Sequence, residues 1–267
     1  MKYFIALSTL LVAFTMNAQA TECVAHRGNN VEELENSMAS IESAYQIGAK
    51  IIEFDVHHTS DKEPILMHDS TLKKTATHRA GATCPLRTKI SDLTWEEIQS
   101  QCILKNGEEI PHLLDVFERY HQLNVRFFFE LKDKPSRTTM EIIERYYSDH
   151  PERLTFISFK KSALKKIVES SIVGPIVEGG AKVLHLASSS LFAKKCYDGV
   201  GLSKPSIRTV NRLMNRGLEV AAFTINDSHK MMDYIDTGLT YLISDDPATC
   251  IELNQNTSRI NQQLAKN

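Results

Sequence analysis

No two of the five cysteines are spaced as Cys-x-x-C, which argues against a thiolate zinc centre. Positive charge is not in surplus either. At a formal net charge of −2 the chain has no basic field with which to hold nucleic acid. Beyond the first residues, no apolar run approaches the roughly 20 residues that a membrane helix needs. Internal repeats and low-complexity linkers are missing as well, so nothing in the sequence divides the chain into separate units. An apolar content of 42% argues against disorder.

What is present begins with a leader. Lys2 precedes an almost continuous apolar run from Phe4 to Phe14, followed by the small-x-small pattern Ala18-Gln19-Ala20. This reads as a signal peptide over residues 1–20, too short in its apolar part for a retained anchor. Ala20-Thr21-Glu22 stands before Cys23, so a lipid-anchoring cysteine directly after the cleavage site is absent. The mature chain, Thr21–Asn267, is expected to be secreted or periplasmic and to form a single domain, with no transmembrane segment. All five cysteines (Cys23, Cys84, Cys102, Cys196, Cys250) enter that oxidising compartment, and an odd number leaves at least one thiol unpaired or bridged to another molecule. Cys84 and Cys102 flank one polar segment and form the best candidate pair; closing such a loop contributes on the order of 3 kcal/mol.

Nine short runs rich in β-branched or aromatic residues recur along the mature chain: Val24-Ala25, Ile51–Val56, Ile65–Met67, Val125–Leu131, Leu154–Phe159, Val183–Leu186, Gly199–Leu202, Val220–Ile225 and Tyr241–Ile243. Helical patterns fill most gaps. Met38, Ile41, Tyr45 and Gly48 share one face of a helix that Asn36 or Ser37 could cap. Thr94 and Glu97 form a capping box, and Thr138–Tyr147, Ser162–Val168 and Ser206–Met214 read as further helices. The βα rhythm predicts a TIM-type (β/α)8 barrel. Its surplus strand is Ile65–Met67, too close behind Val56 for a parallel crossover and therefore expected to pair back as a hairpin. The polar tail from Asn254 is expected to fray.

The informative feature is where polar residues fall. His26-Arg27, Glu53-x-Asp55, His68-Asp69 and Glu130-x-Lys132 each lie within or just after an apolar run. In a parallel barrel the carboxyl ends of different strands converge on one mouth. Residues two apart on a strand share a face, which pairs Glu53 with Asp55 and Glu130 with Lys132. Glu53, Asp55 and Glu130 make an oxygen-ligand set for a divalent cation, Mg²⁺ or Ca²⁺. Arg27 and Lys132 are suited to phosphate charge, and His26 and His68 can divide the proton transfers of phosphodiester cleavage. Carboxylates on a strand with Ile51, Ile52, Phe54 and Val56 are costly to bury unless paired or metal-bound, which weighs against a merely solvated strand. His57 and His58 read as rim or loop residues, and His78 and Arg79 as structural members of the loop that holds Cys84.

The residues His26-Arg27-Gly28, Glu35-Asn36-Ser37, Gly48-Ala49, Glu53-Phe54-Asp55-Val56, Pro64–Asp69, Ile110-Pro111-x-Leu113 and Glu130-Leu131-Lys132 occur in an order that resembles the glycerophosphodiester phosphodiesterase family of phospholipase-C-like barrels. Phe223–Asn226 and Ile243–Pro247 add a fainter match. The resemblance spans nearly the whole mature chain. It implies hydrolysis of a small glycerophosphodiester to glycerol 3-phosphate and an alcohol, with His26 and His68 as acid and base. It likewise implies Glu53, Asp55 and Glu130 as metal ligands, with Arg27 and Lys132 facing the phosphate. Two positions depart from the family: Leu34 stands where a Pro is usual, and Phe223 where a Trp is usual. Two other readings stay open, a lipid phosphodiesterase of the phospholipase C or sphingomyelinase D type and a catalytically inactive binding barrel. The polar segments His57–Glu63 and Ser70–Arg87 favour a soluble substrate over a lipid.

Overall fold

The computed structural model describes residues 20–188 and 197–264. The expected signal peptide (but for Ala20) and Cys196 therefore lie outside the described residues. Strand β1 (Glu22–Ala25) leads into helix α1 (Met38–Gln46) and the long strand β2 (Ile51–His58). An excursion follows: β3 (Pro64–Leu66), β4 (Ala76–His78), α2 (Trp95–Gln101), β5 (Cys102–Leu104) and α3 (Leu113–Tyr120). The regular alternation then resumes with β6 (Arg126–Leu131), α4 (Arg137–Tyr147), β7 (Leu154–Ser158), α5 (Lys161–Val168), α6 (Gly174–Glu178) and β8 (Lys182–Ala187). It closes with β9 (Gly199–Ser203), α7 (Ile207–Met214), β10 (Glu219–Phe223), α8 (Ser228–Asp236), β11 (Tyr241–Ser244) and α9 (Pro247–Leu264).

Eight parallel strands run in the order β1-β2-β6-β7-β8-β9-β10-β11, and β1 pairs with both β2 and β11. The sheet is a closed barrel of the TIM type. Strand β3 pairs antiparallel with β2, Val56 opposite Leu66, which is the hairpin expected from the short connection.

Period-two alternation sorts each strand between two cores. Ile52, Phe54 and Val56 of β2 and Phe127 and Phe129 of β6 face outward and pack under α1, α3 and α4 with Phe117 and Tyr147. The intervening positions face inward: Val24, Ile51, Phe128, Ile157, Leu184, Ala221 and Tyr241 fill the middle of the barrel. The same parity carries Glu53, Asp55, Glu130 and Lys132 inward above that plug.

Capping matches the residue chemistry. The Ser37 side chain accepts from Ser40 N in a capping box at the start of α1, and Thr94 and Glu97 form the one before α2. Asn36 has a different task, described below. The excursion contains two elements that the sequence pattern does not reveal, β4 and β5, paired as His78↔Cys102. Each has three residues, too few for alternation to register. Their small core includes Ile90, Ile98, Leu104 and the disulfide Cys84–Cys102, whose Cα atoms are 4.9 Å apart. A second disulfide, Cys23–Cys250, ties β1 to α9 across a sequence separation of 227. The tail expected to fray is instead helical to Leu264, and Asn254 Nδ2 donates to Thr21 O at 2.7 Å.

Candidate active site

Arg27 and Gly28 shape the turn after β1, both at positive φ (55° and 83°). Gly28 cannot carry a side chain: a Cβ there would lie 2.5 Å from Ser40 C. This tight turn brings the Arg27 N–H to Glu53 Oε2 at 2.9 Å and its Nη1 to Glu35 Oε2 at 3.0 Å. Arg27 Nε also lies 3.1 Å from Asp55 Oδ2. Glu35 is held from the other side by Lys74 at 2.7 Å, a lysine of the excursion. Asn36, also at positive φ, grips Asp55 twice: its Nδ2 donates to Asp55 Oδ2 (2.8 Å) and its Oδ1 accepts from Asp55 N (3.0 Å).

The three carboxylates converge. Glu53, Asp55 and Glu130 each offer an oxygen within 4.8 Å of the others, and all three are buried. Lys132 Nζ reaches Glu130 Oε1 at 2.8 Å and Asp55 Oδ1 at 3.1 Å. Burying so much negative charge separates the three groups in acidity. Desolvation, with the charges of Asp55 and Glu130, pushes Glu53 well above the usual carboxylate range. Desolvation beside Asp55 raises Glu130 to about 7. Burial works to raise Asp55 too, but Lys132 and Arg27 outweigh it and hold that carboxyl below its ordinary value.

Two imidazoles flank this cluster. His26 Nδ1 is 2.6 Å from Asp245 Oδ1, at the end of β11. Asn30 Nδ2 and Asn226 Nδ2 donate to the two oxygens of Asp245 at 2.7 and 2.6 Å. Burial opposes the ionised form of Asp245, and the His26, Asn30 and Asn226 hydrogen bonds overcome it and hold the carboxyl below its usual range. His68 Nδ1 is 2.8 Å from Asp69 Oδ1, and burial, which disfavours the charged imidazolium, lowers the pKa of the ring below its ordinary value. In both rings the Nδ1 atom is taken, so Nε2 is the nitrogen available for chemistry.

His26, Arg27, Glu53, His68, Glu130 and Lys132 line one cavity of about 250 Å³ at the carboxyl ends of the strands, with Asp55 beneath them. The opposite wall is apolar: Ile157, Phe159, Leu186, Phe223 and Ile243. Phe223 meets Phe159 edge to face, ring centroids 5.9 Å apart. Gly201 makes room for this wall, since a Cβ would come within 2.4 Å of Leu186 Cδ2.

All seven residues singled out from the sequence thus gather at one mouth. The orienting residues Asp245, Asn30 and Asn226 were missed. Asp245 and Asn226 sit in the fainter matched stretches, where position after a late strand was the available signal. His58, expected at the rim, is instead buried and shares Asp133 with His57, its Nε2 reaching Thr139 Oγ1 at 2.7 Å. His78 and Arg79 are structural as expected: His78 Nδ1 accepts from Cys84 N at 2.8 Å, and Arg79 pairs with Glu109.

The glycerophosphoryl diester phosphodiesterase family matches residues 26–249. The chain belongs to that family. A human glycerophosphodiester phosphodiesterase 1 is 33% identical over 137 residues, covering 48% of this chain and 39% of the human protein. This chain therefore matches about two-fifths of the length of that curated relative. A glycerophosphodiester phosphodiesterase of Caldanaerobacter subterraneus subsp. tengcongensis is 27% identical over 249 residues, 87% of this chain and 97% of that one. Among solved structures, an Oleispira antarctica phosphodiesterase in complex with the product sn-glycerol-3-phosphate superposes with a TM-score of 0.71 at 23% identity, over 88% of this chain and 96% of that one. That last likeness establishes the fold.

The carboxylate cluster suits a hard divalent cation. Glu53 Oε1 is buried without a hydrogen bond and Asp55 Oδ1 meets only the Lys132 ammonium, the kind of deficit a cation with oxygen ligands would relieve.

Proposed function

We propose that this protein hydrolyses soluble glycerophosphodiesters to glycerol 3-phosphate and an alcohol, with a divalent cation, Mg²⁺ or Ca²⁺, held by Glu53, Asp55 and Glu130. The observation that carries this reading is one cavity in which a buried triad of carboxylates, with Glu53 Oε1 left unpartnered, meets two imidazoles and two cations. Its relatives' names and the glycerol 3-phosphate bound to the Oleispira protein point the same way.

Each side chain has a task that follows from its surroundings. When bound, the cation supplies charge neutralisation at the phosphate and acidifies a coordinated hydroxyl or water. Arg27 and Lys132, fixed by carboxylates on either side, orient the phosphodiester and carry its remaining negative charge. Asp245 fixes the ring of His26 and stabilises the imidazolium formed when His26 takes up a proton, and Asp69 does the same for His68. One imidazole removes the proton of the attacking oxygen and the other protonates the departing alkoxide. The apolar wall of Phe159, Leu186 and Phe223 keeps water from the phosphate, where charged contacts then act at greater strength.

Export to the periplasm or the exterior belongs to the same reading. Two disulfides support it, because such bonds persist in oxidising compartments.

The test is turnover of glycerophosphocholine with and without EDTA, followed by metal add-back and product identification by phosphorus NMR. Glycerol 3-phosphate and choline are expected in the presence of Mg²⁺ or Ca²⁺. Phosphocholine as product, hydrolysis confined to intact or lysophospholipids, or turnover of none of these compounds would contradict the proposal.

A further inference from the structure

The two imidazoles of the catalytic cavity are not held alike. Asp245, which orients the His26 ring, is itself fixed by hydrogen bonds from Asn30 and Asn226. Asp69, which meets the His68 ring, is the next residue in the chain, is 43% exposed and receives no other side-chain hydrogen bond among the described residues. A carboxylate on the adjacent residue moves with its own loop. It can turn the His68 ring but cannot fix where that ring stands against the barrel. His68 lies two residues beyond the end of β3 and outside any regular element, so something else must set its place.

His57, near the end of β2, reaches the His68 main chain. Its Nε2 is 3.3 Å from the His68 carbonyl oxygen. A carbonyl only accepts, so Nε2 is the protonated nitrogen and the donor. On the far side of the ring, Nδ1 lies 3.5 Å from Asp133 Oδ2. Asp133 is anchored in turn: Oδ1 meets His58 Nδ1, and Oδ2 accepts from the His58 N–H at 3.3 Å. The buried His58 ring ends at Thr139 Oγ1 of α4, 2.7 Å away. A continuous series of contacts thus runs from α4 through His58, Asp133 and His57 to the backbone of His68. The His57 side chain is only 13% exposed, which keeps most competing water from the bond, and it does not line the catalytic cavity. We infer that His57 is a positioning residue, which donates to the His68 carbonyl and so holds that imidazole in register with the phosphodiester. This rests on the hydrolytic reading above and adds to it a residue that acts only through His68.

Two substitutions separate the donor from the bulk of the ring. His57→Leu removes the donor and keeps an apolar filling, whereas His57→Gln offers an amide N–H at about the reach of Nε2. With glycerophosphocholine, His57→Leu should lower kcat about tenfold and leave KM within about twofold. That loss lies between the value of one hydrogen bond and the cost of displacing a reacting group by about 1 Å. His57→Gln should bring kcat back to within about threefold of the parent. In a His68→Ala background the Leu substitution should change the residual rate by less than about twofold, because its effect runs through the missing ring. A parental kcat in His57→Leu, a Gln variant as impaired as the Leu one, or a full loss repeated in the His68→Ala background would overturn the inference. Should His57→Leu melt below the assay temperature, His57→Asn, whose amide stops short of the carbonyl, takes its place in each comparison. Nitrogen NMR of the His68 ring reads the same effect without turnover. Its resonances should shift or broaden in the variant that lacks the donor and return in His57→Gln; resonances unmoved in both would overturn the inference. If the parent hydrolyses nothing, the hydrolytic reading fails, and the ring resonances still decide whether His57 places His68.

Discussion

Strands β1, β2 and β6 deliver charge to the top of the barrel, whereas β7, β8, β10 and β11 deliver carbon to the same level. Both walls obey one rule of alternation, in which every second residue faces inward. The difference lies in what supports them. The apolar wall needs packing and one missing side chain, at Gly201. The charged wall needs a scaffold of its own. Asn36 holds Asp55, Glu35 and Lys74 hold Arg27, and Lys132 bridges Asp55 to Glu130. Charge at a buried site is expensive, and three residues of this scaffold, Arg27, Gly28 and Asn36, have positive φ.

The contrast breaks most sharply at the imidazoles. His26→Ala and His68→Ala should each lower kcat by at least the roughly 10²–10⁴-fold typical of general acid-base groups. Both side chains lie at the rim, so the circular dichroism spectrum and melting temperature should stay near the parent's. Near-parental kcat in either variant would end the two-histidine account.

Asp245 crosses from the end of an apolar-wall strand to serve the charged wall. Replacing it with Asn keeps the shape but removes the charge that stabilises protonated His26. A loss on the order of 10²-fold in kcat is expected, with KM little changed and a shifted pH–rate profile. An unchanged profile would reduce Asp245 to a structural role.

Within the charged wall, neighbouring carboxylates should respond in opposite directions. Asp55 is held ionised by Lys132 and Arg27 against its burial, so Asp55→Asn removes from two buried cations the carboxylate they share, leaving each with one partner, and should lower the melting temperature in EDTA. Glu53 is driven toward its neutral form by desolvation, so Glu53→Gln should leave metal-free stability unchanged or raise it. Thermal unfolding in EDTA compares the two. The same sign or size of shift in both would contradict this division of charge.

On the apolar wall the expected effects are small. Phe223→Ala should raise KM a few-fold by loosening the wall that meets Phe159, with kcat falling less than in either histidine variant. A kcat loss as large as that of His68→Ala would mean that this wall takes part in the chemistry.

Much of this contrast was legible in the sequence, for a physical reason. His26, Glu53, Asp55, His68, Glu130 and Lys132 interrupt or end apolar runs, and a barrel brings strand ends together whatever their separation along the chain. Cys84–Cys102 was legible because it closes a local loop. Cys23–Cys250 was not, since its partners meet only through barrel closure between β1 and β11. Asp245 was quoted as part of a motif but not as a site residue, because its role depends on the same closure, which sets it against His26. The short β4–β5 pair and the helical tail were invisible for local reasons: three-residue strands carry no period, and the tail of α9 is polar at most positions.

The central claim is that the charged wall is a metal site, and metal-dependent stability tests it without reference to substrate. In the metal-free protein the unfolded chain releases the Glu130 proton near its ordinary value of 4.5, whereas the folded protein keeps it to about 7. Stability should therefore fall as pH rises between those values and then level off. A bound cation replaces that proton, so stabilisation by Mg²⁺ or Ca²⁺ should be small at pH 5 and larger at pH 8. The deciding measurement is the melting temperature at both pH values, with EDTA and with each metal, for the parent and Glu53→Gln. The account predicts a metal-induced rise in the parent that grows with pH and is lost in Glu53→Gln; a parent that melts at the same temperature with and without metal at pH 8 would contradict it.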